Sequence, residues 1–488
     1  MTNQTFPDRP KEKFVFVQQD ASIHDAKFET KAIGYFGDAW IRFKKNKGSV
    51  AAAIIILLLM IFAIFTPIFS TYNMAFTDSY YTYVLPKSEL LSRIGIWDGC
   101  SKKTVNQQTF DYNDSIGAIV EVRDSYEVTV NGRTNTYYDV VVDSYRAVGY
   151  IYANLTPAEY QAARDYEEAN GVQLLYPLVD SSKIMQAMNK ENANYWYAHD
   201  AKGIAQRDAD GSYVPIYKTD ETSEDGLAYY AMKMGGSQYQ VRVYYYDWFT
   251  YLNGQAPCFL FGTDNLGHDI LSRLASGARF SLLLSVVVSA INFLIGTVYG
   301  AIEGYYGGKL DLVMERIADV LYSIPYMVLF SLLQLRWGKE IGVVGALLLA
   351  FVLTGWIGVA STVRTQFYRF KGQEYVLAAR TLGASDARII ARTILPNSLG
   401  TIITSCVLMV PGVIFTESSL SYLGVLNLDS STLTSVGTML SNAQTALSTY
   451  PHAILFPALF ISLMMISFNL FGNGLRDALN PTLRGAED

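Results

Sequence analysis

The segment Glu374–Asn397 reads EYVLAARTLGASDARIIARTILPN, and it is charged and helix-prone although it lies between two long apolar runs. Gly383 predicts a joint between two helical pieces, because glycine costs about 1 kcal/mol relative to alanine in a helix interior. Ser385 is placed to cap the second piece, and Leu395–Pro396 predicts its end. We expect either a rigid helical knob that docks on a soluble partner or an ordinary basic loop.

The apolar runs on both sides of this segment belong to a larger set. Each approaches the roughly 20 residues that a helix needs to cross a hydrocarbon core about 30 Å thick. They cover residues 49–69, 279–301, 313–334, 341–363, 398–424 and 452–474. The chain is therefore predicted to be a polytopic α-helical membrane protein with six transmembrane helices.

The basic residues orient these helices. Lys and Arg crowd the N-terminal side of the first run and the loop 364–397, whereas the loop 425–451 contains none. Because basic residues concentrate on the cytoplasmic side of a membrane, we expect both termini to be cytoplasmic. The residues between the first and second runs would then lie outside the cell.

That outer segment has the composition of a folded, water-exposed domain. The stretch 71–251 contains 24 Asp and Glu against 15 Lys and Arg, and it holds 25 of the 35 tyrosines. Alternating residues at 127–142 predict a strand hairpin with the turn Asn131–Gly132, and 238–252 reads as strand. The stretch 154–171 predicts a helix capped by Thr156. We expect an inserted extracellular α+β domain, with tyrosines that either fill its core or form a recognition surface.

The chain therefore divides into five parts along its length. They are a cytoplasmic segment with an amphipathic lead-in helix (1–48), the first transmembrane helix (49–70), the inserted domain (71–260), a core with five transmembrane helices (261–475) and a cytoplasmic tail (476–488). The net charge of −6 comes from the inserted domain, and no basic stripe suggests a nucleic-acid partner.

No pattern in the sequence predicts catalysis. The nearest approach to a nucleotide loop, GYYGGKL at 304–310, lacks the first glycine and the Ser or Thr of a phosphate-binding loop. The His and Cys residues have no metal-ligand spacing, so we expect no catalytic residue, no bound cofactor and no metal. Cys100 and Cys258 fall in the same outer segment and could form a disulfide.

The charged segment resembles the coupling loop of type I ABC importer permeases, through AARTLG at 378–383 and LP at 395–396. Leu377 and Thr393 depart from the family signature. Further stretches are similar to C-type permease subunits of oligopeptide and dipeptide importers: DAWIRFKKNKGSV (38–50), FGTDNLGHDILSRLASGARFSLL (261–283), YYGGKLDLVMERIADVLYSIP (305–325), ESSLSYLGV (417–425) and NGLRDALNPTLR (473–484). The outer segment 71–251 is much longer than its usual counterpart.

The resemblance implies the type I permease fold and a non-catalytic permease subunit in a bacterial cell membrane. The implied partners are a second homologous permease, two cytoplasmic ATPase subunits that bind ATP and Mg²⁺, an extracellular substrate-binding lipoprotein and a peptide substrate. The loop 374–396 would contact the ATPases, and the residues implied in coupling are Glu374, Ala378, Ala379, Arg380, Gly383, Ala384, Ser385, Asp386, Leu395 and Pro396. Two alternatives stay open: another cargo such as nickel or a sugar, and a membrane-anchored receptor for an extracellular ligand.

Polar residues within the apolar runs are candidates for the substrate path. Glu417 stands out, because an ionisable side chain is costly in lipid and usually faces protein or water. It could meet a peptide amine, or it could satisfy the local helix turn. Ser418, Asp319 and Asn469 are further candidates.

Overall fold

The computed structural model describes residues 34–130, 133–185, 188–219, 230–234 and 238–479. The predicted turn Asn131–Gly132, most of the N-terminal segment 1–48 and most of the tail 476–488 lie outside the described residues.

The chain enters the membrane region through two consecutive helices, α1 (Tyr35–Lys45) and α2 (Lys47–Phe69). α1 is the predicted amphipathic lead-in. Asn46 separates the helices, and its side chain accepts a hydrogen bond from the Ser49 N–H at 3.2 Å, which caps α2. α2 carries apolar side chains on all of its faces. Most of these side chains are exposed on this chain, as expected for a helix that faces lipid.

The segment 71–260, which is predicted to lie outside the cell and is called the outer domain, folds into two antiparallel sheets with helices between their strands. The elements are β1 (Cys100–Asn106), α3 (Gln107–Ser115), β2 (Ile119–Val130), β3 (Arg133–Asp143), β4 (Tyr150–Leu155), α4 (Pro157–Asn170), β5 (Leu175–Tyr176), β6 (Ala231–Met234), β7 (Gln238–Tyr244) and α5 (Tyr245–Asn253). One sheet has the order β1-β3-β2; in the other, β7 pairs with β4, β5 and β6. The α+β composition is thus confirmed.

The local signals within this domain differ in how well they predict structure. α4 begins with a capping box, in which Thr156 and Glu159 hydrogen-bond reciprocally, and it ends at Gly171, as predicted. The strand predicted for 238–252 is wrong beyond Tyr244, because α5 follows. The side chains of Tyr245, Trp248 and Phe249 recur at helical spacing and are all buried, so burial of this face outweighs the strand preference of aromatic residues.

Tyrosines fill the core of the domain rather than one surface of it. Tyr72, Tyr81, Tyr145 and Tyr245 are buried among aromatic rings. The Tyr245 hydroxyl donates to the Asp78 carboxylate at 2.5 Å, and burial together with that carboxylate raises the pKa of Tyr245. The phenol therefore remains a donor at neutral pH and fixes the chain just after α2 to the domain core.

The predicted disulfide is absent. Cys100 and Cys258 are both free thiols. The Cys258 Sγ points at the Lys87 carbonyl at 3.4 Å, whereas the Cys100 Sγ points at the Asp98 carbonyl at 3.7 Å. Each sulfur thus faces a different backbone carbonyl.

The rest of the described chain is helical. It comprises α6 (Ile270–Tyr306), α7 (Gly308–Tyr322), α8 (Tyr326–Thr354), α9 (Ile357–Phe370), α10 (Glu374–Thr381), α11 (Asp386–Ile389), α12 (Leu395–Tyr422), α13 (Val436–Ala443) and α14 (His452–Leu479). Among the described residues, five helical segments are long and apolar enough to cross a membrane: Lys47–Phe69, Ile270–Tyr306, Tyr326–Phe370, Asp386–Tyr422 and His452–Leu479.

The segment Tyr326–Phe370 covers parts of two predicted runs and folds back on itself. Gly342 interrupts α8 with φ 73° and ψ 167°. The rings of Tyr326 and Phe351 lie 5.1 Å apart, although a straight helix would separate these residues by about 37 Å. The chain therefore reverses direction at Gly342, where a positive φ favours glycine.

Small residues bring α6 and α9 into close contact. A Cβ atom at Gly296 would lie 2.7 Å from the Trp356 carbonyl oxygen, and one at Gly304 would lie 2.7 Å from the Phe367 Cβ. The glycines of α6 thus allow a close helix contact within this chain.

Candidate functional site

The two helical pieces of the charged segment meet at Gly383, as predicted. Gly383 has φ 80°, and its N–H donates to the Arg380 carbonyl at 3.0 Å, which closes the end of α10. A Cβ at this position would meet no atom within 4 Å. The requirement for glycine is therefore conformational and not steric.

Ser385 stands at the N-cap position of α11, but its side chain forms no capping hydrogen bond, so the predicted cap is wrong. Ser385 is exposed, and water can satisfy the first N–H groups of α11 in its place. The acidic residue that follows, Asp386, instead contacts another helix.

Asp386 takes part in a hydrogen-bonded link across the joint. The Tyr305 hydroxyl, at the end of α6, donates to the Asp386 Oδ1 at 2.6 Å and accepts from the Arg380 Nη2 at 3.2 Å. α10, α11 and α6 are thereby connected through a single phenol.

Buried aliphatic side chains anchor the same two pieces. Val376 and Ile389 are fully buried and pack in one cluster with Phe367 of α9. Two leucines of the same segment are exposed instead: Leu377 is 47% exposed and Leu382 is 88% exposed. The segment thus has a fixed base and an apolar tip that no other part of the described chain covers.

The predicted boundary at Leu395–Pro396 coincides with the start of α12, but the chain does not leave the helix there, because helical structure continues from Asp386 to Tyr422. Pro396 has no N–H, and its ring would clash with the carbonyl four residues earlier in a regular α-helix. The preceding stretch Ile390–Ile394 is π-helical, which changes the carbonyl pairing and lets the chain pass the proline. The side chain of Asn397 donates to the Thr393 carbonyl at 2.8 Å. The knob is therefore directly continuous with α12.

The other predicted coupling residues lie on the same segment. Glu374 and Ala378 are exposed on α10, Ala379 and Ala384 are half-buried near the joint, and Leu395 is half-buried where α12 begins. The structure thus brings all the predicted coupling residues together on one short stretch.

A polar cluster beside the segment was not predicted. The Arg364 guanidinium of α9 contacts Asp311 at 2.7 and 2.9 Å and Glu315 at 3.0 and 3.1 Å, and its Nε lies 3.6 Å from the Glu303 carboxylate. The Tyr368 hydroxyl also donates to Asp311, at 2.6 Å. This arginine cluster joins α6, α7 and α9 next to the base of the knob. The only sign of this cluster in the sequence is the group of spaced acidic residues Glu303, Asp311 and Glu315, which begins where the apolar run 279–301 ends.

The candidate path residues fall into separate places. Asp319 is exposed on α7, pairs with Arg316 at 3.0 Å, and lines a cleft of 300 Å³ next to the arginine cluster. Asn469 is exposed on α14 and donates to the Met465 carbonyl of its own helix at 2.8 Å. These two residues do not converge on one cavity.

Glu417 is fully buried between α6 and α12. Its carboxylate accepts from Ser281 at 2.9 Å and from Ser421 at 3.2 Å, and Ser418 lies at 3.5 Å. The serine hydroxyls satisfy the carboxylate locally, so of its two predicted roles the structure favours the one within the protein.

Comparisons with known families agree with this architecture. The family described as "Binding-protein-dependent transport system inner membrane component" matches residues 274–485. The family described as "N-terminal TM domain of oligopeptide transport permease C" matches residues 34–86. Most of the outer domain lies between the two matches. Among the described residues, no group of three or more His, Cys, Asp or Glu side chains could hold a metal ion.

Individual relatives are similar over about half of the chain. The chain is 45% identical to the dipeptide transport system permease protein DppC of Bacillus subtilis (strain 168), over 46% of this chain and 69% of that protein. It is 45% identical to the oligopeptide transport system permease protein OppC of the same organism, over 46% of this chain and 72% of that protein. A chain of the inward-facing MetNI methionine ABC transporter aligns at 16% identity with a TM-score of 0.36, over 43% of this chain and 96% of that chain.

Proposed function

The chain belongs to the family of binding-protein-dependent transport inner membrane components, in its oligopeptide and dipeptide permease branch, and from this premise we propose how its cytoplasmic face is driven. It is a permease subunit of a peptide importer. Permease components of this kind are not catalytic, so the energy for transport must enter through contacts with other subunits. We propose that ATP is hydrolysed by two separate cytoplasmic ATPase subunits.

The knob at 374–396 is the proposed contact with these ATPases. ATP binding would close the ATPase pair and displace the knob, and hydrolysis would reset it. A second homologous permease would complete the peptide path, and an extracellular lipoprotein would deliver the peptide. The path would then alternate between inward-open and outward-open states, whose populations the bound ligands shift.

One observation carries this proposal: an exposed apolar tip on a rigidly held base. Leu382 projects beside the Gly383 joint, while Val376 and Ile389 are buried beneath it. The Tyr305 link and the unbroken helix from Asp386 to Tyr422 provide two connections from the tip into the spans. A displacement at the tip would thus reach both α6 and α12.

Replacing Leu382 with aspartate is expected to weaken association with the ATPase subunits. A charge at the centre of an apolar contact would cost about 1–2 kcal/mol, which is roughly 5- to 30-fold in affinity. Pull-down of the ATPases with the tagged permease from detergent-solubilised membranes measures this loss. Leu447→Asp is the matched control, because Leu447 is also exposed, at 52%, but lies in the loop between α13 and α14. Equal ATPase recovery with both variants would refute the contact.

We further propose six membrane crossings with both termini in the cytoplasm. α7 and the first part of α8 would form the third crossing, and the remainder of α8 with α9 would form the fourth. The reversal at Gly342 supports this topology, as does Arg364, which pairs the start of α7 with the end region of α9. The outer domain would then lie outside the cell, as the distribution of basic residues predicts.

Cysteine labelling is expected to separate the two faces. In a background with Cys100, Cys258 and Cys406 changed to serine, Val172→Cys should react with a membrane-impermeant maleimide in intact cells, because Val172 is 44% exposed on the outer domain. Leu310→Cys should react only after the membrane is permeabilised, because Leu310 is 44% exposed at the start of α7, outside the proposed ATPase contact. Labelling of Leu310→Cys in intact cells would overturn the proposed orientation.

A further inference from the structure

We propose that the loop Ser88–Trp97 of the outer domain is a membrane anchor whose ligand is the lipid of the leaflet next to this domain. This inference goes beyond the proposed transport function, which assigns no role to the loop. It depends on the spans being in a bilayer and not on which side the domain faces.

The loop is compact, and backbone hydrogen bonds join its two ends. The Ser88 N–H donates to the Trp97 carbonyl at 2.8 Å, and the residues just outside, Lys87 and Asp98, form an antiparallel bridge. Inside the loop, the Ser92 N–H donates to the Ser88 carbonyl at 2.9 Å. Because these hydrogen bonds hold its shape, the side chains at the tip have defined positions.

The tip of this loop is apolar and exposed. Leu90 is 77% exposed, Ile94 is 67% exposed and Ile96 is 53% exposed. Soluble surfaces rarely carry several exposed aliphatic side chains so close together, and such patches mark contacts with a membrane or another protein.

One contact and one shared cleft place the loop at the level where spans end. The Trp97 ring packs against Phe456, at 5.9 Å between ring centroids, and Phe456 lies about one turn inside α14. Glu89 lines the same cleft as Phe69, the last residue of α2. Since α2 is about as long as the hydrocarbon core is thick, Phe69 marks the border of that core.

Continuity with the lipid-facing surface favours lipid over a protein partner. Phe69, which lines the same cleft as Glu89, is 79% exposed, and Leu455, the residue before Phe456, is 56% exposed. The aliphatic tip thus extends an apolar surface that already faces the bilayer.

Trp97 and Arg93 suit a membrane interface. Trp97 has an apolar ring with one N–H donor, the combination found where the hydrocarbon core meets headgroups. Its backbone has φ 52°, an uncommon conformation for a bulky residue, which the packing against Phe456 and Phe261 maintains. Arg93 is exposed on the same loop and can reach lipid phosphates.

Spin-label accessibility tests the proposal on the full chain assembled with its partner subunits in phosphatidylcholine–phosphatidylglycerol nanodiscs. Leu90→Cys and Ile94→Cys are labelled in the background without other cysteines, with Val172→Cys as the water-exposed control and Leu455→Cys as the lipid-facing control. Insertion predicts an oxygen-to-nickel accessibility ratio about threefold or more above that of Val172→Cys, approaching that of Leu455→Cys.

Two results would overturn the anchor. A ratio equal to that of Val172→Cys would place the loop in water. Low accessibility to both oxygen and the water-soluble nickel complex would show that protein covers it. Because both faces of a nanodisc are open to reagent, neither result depends on the orientation or the coupling role of the chain. The substituted side chains are exposed, so their replacement is not expected to impair folding.

Discussion

Gly383→Pro is expected to reduce ATP-dependent peptide uptake by about 100-fold, because about 3 kcal/mol or more opposes the native geometry of the joint. Proline fixes φ near −65°, whereas Gly383 has φ 80°. It also removes the N–H that donates to Arg380 and disfavours the helical conformation of Leu382, which precedes it. Uptake into proteoliposomes that contain the complete transporter measures the effect.

Two further variants make this prediction specific. Gly383→Ala should give a smaller loss, because a left-handed conformation costs a residue with a side chain about 1–2 kcal/mol. Gly372→Ala is the matched control: Gly372 lies between α9 and α10, has no positive φ, and a Cβ there would meet no atom within 4 Å. A similar loss of uptake with Gly372→Ala and Gly383→Ala would show that the joint has no special role.

Arg364→Met is expected to destabilise the chain by about 3–5 kcal/mol, because it leaves the carboxylates of Asp311 and Glu303 buried without a cation. Both carboxylates are largely buried, at 11% and 5% side-chain exposure. The contacts between α6, α7 and α9 beside the knob would loosen, so uptake should fall as well. Thermal unfolding of the purified chain in detergent measures the loss of stability.

A matched arginine separates this effect from a general loss of charge. Arg316 pairs only with Asp319 among the described contacts and is 74% exposed, so Arg316→Met should cost less than about 1 kcal/mol. Arg364→Met combined with Asp311→Asn should recover part of the stability, because one buried charge is removed together with its partner. If Arg364→Met and Arg316→Met unfold at the same temperature, the arginine cluster does not hold these helices together.

The sequence predicts those parts of the fold that local chemistry determines. Gly383 marks the joint because its left-handed conformation disfavours residues with a side chain, and Thr156 marks the start of α4 because its side chain caps that helix. The continuation of helix past Pro396 was not predictable in the same way, since a π-helical turn gives no local pattern. α5 was missed because burial of one face outweighed strand preference.

Some residues of the candidate site could likewise be predicted from local sequence, and others could not. The residues of the knob are consecutive, so their motif could be recognised in the chain. Tyr305 and Arg364 act through partners that are 49–81 residues away in sequence, and no periodicity connects such positions. Glu417 shows the converse: an ionisable residue in an apolar run is conspicuous, yet only the structure shows that serines from two helices satisfy it.

The most direct test asks whether ATPase motion enters the spans through the segment 374–396. It measures the ratio of peptide transported to ATP hydrolysed in the reconstituted transporter that carries Gly383→Pro. If the motion does enter there, the complex will assemble and hydrolyse ATP while the ratio falls nearly to zero. A ratio equal to that of the unsubstituted transporter would contradict the proposed route.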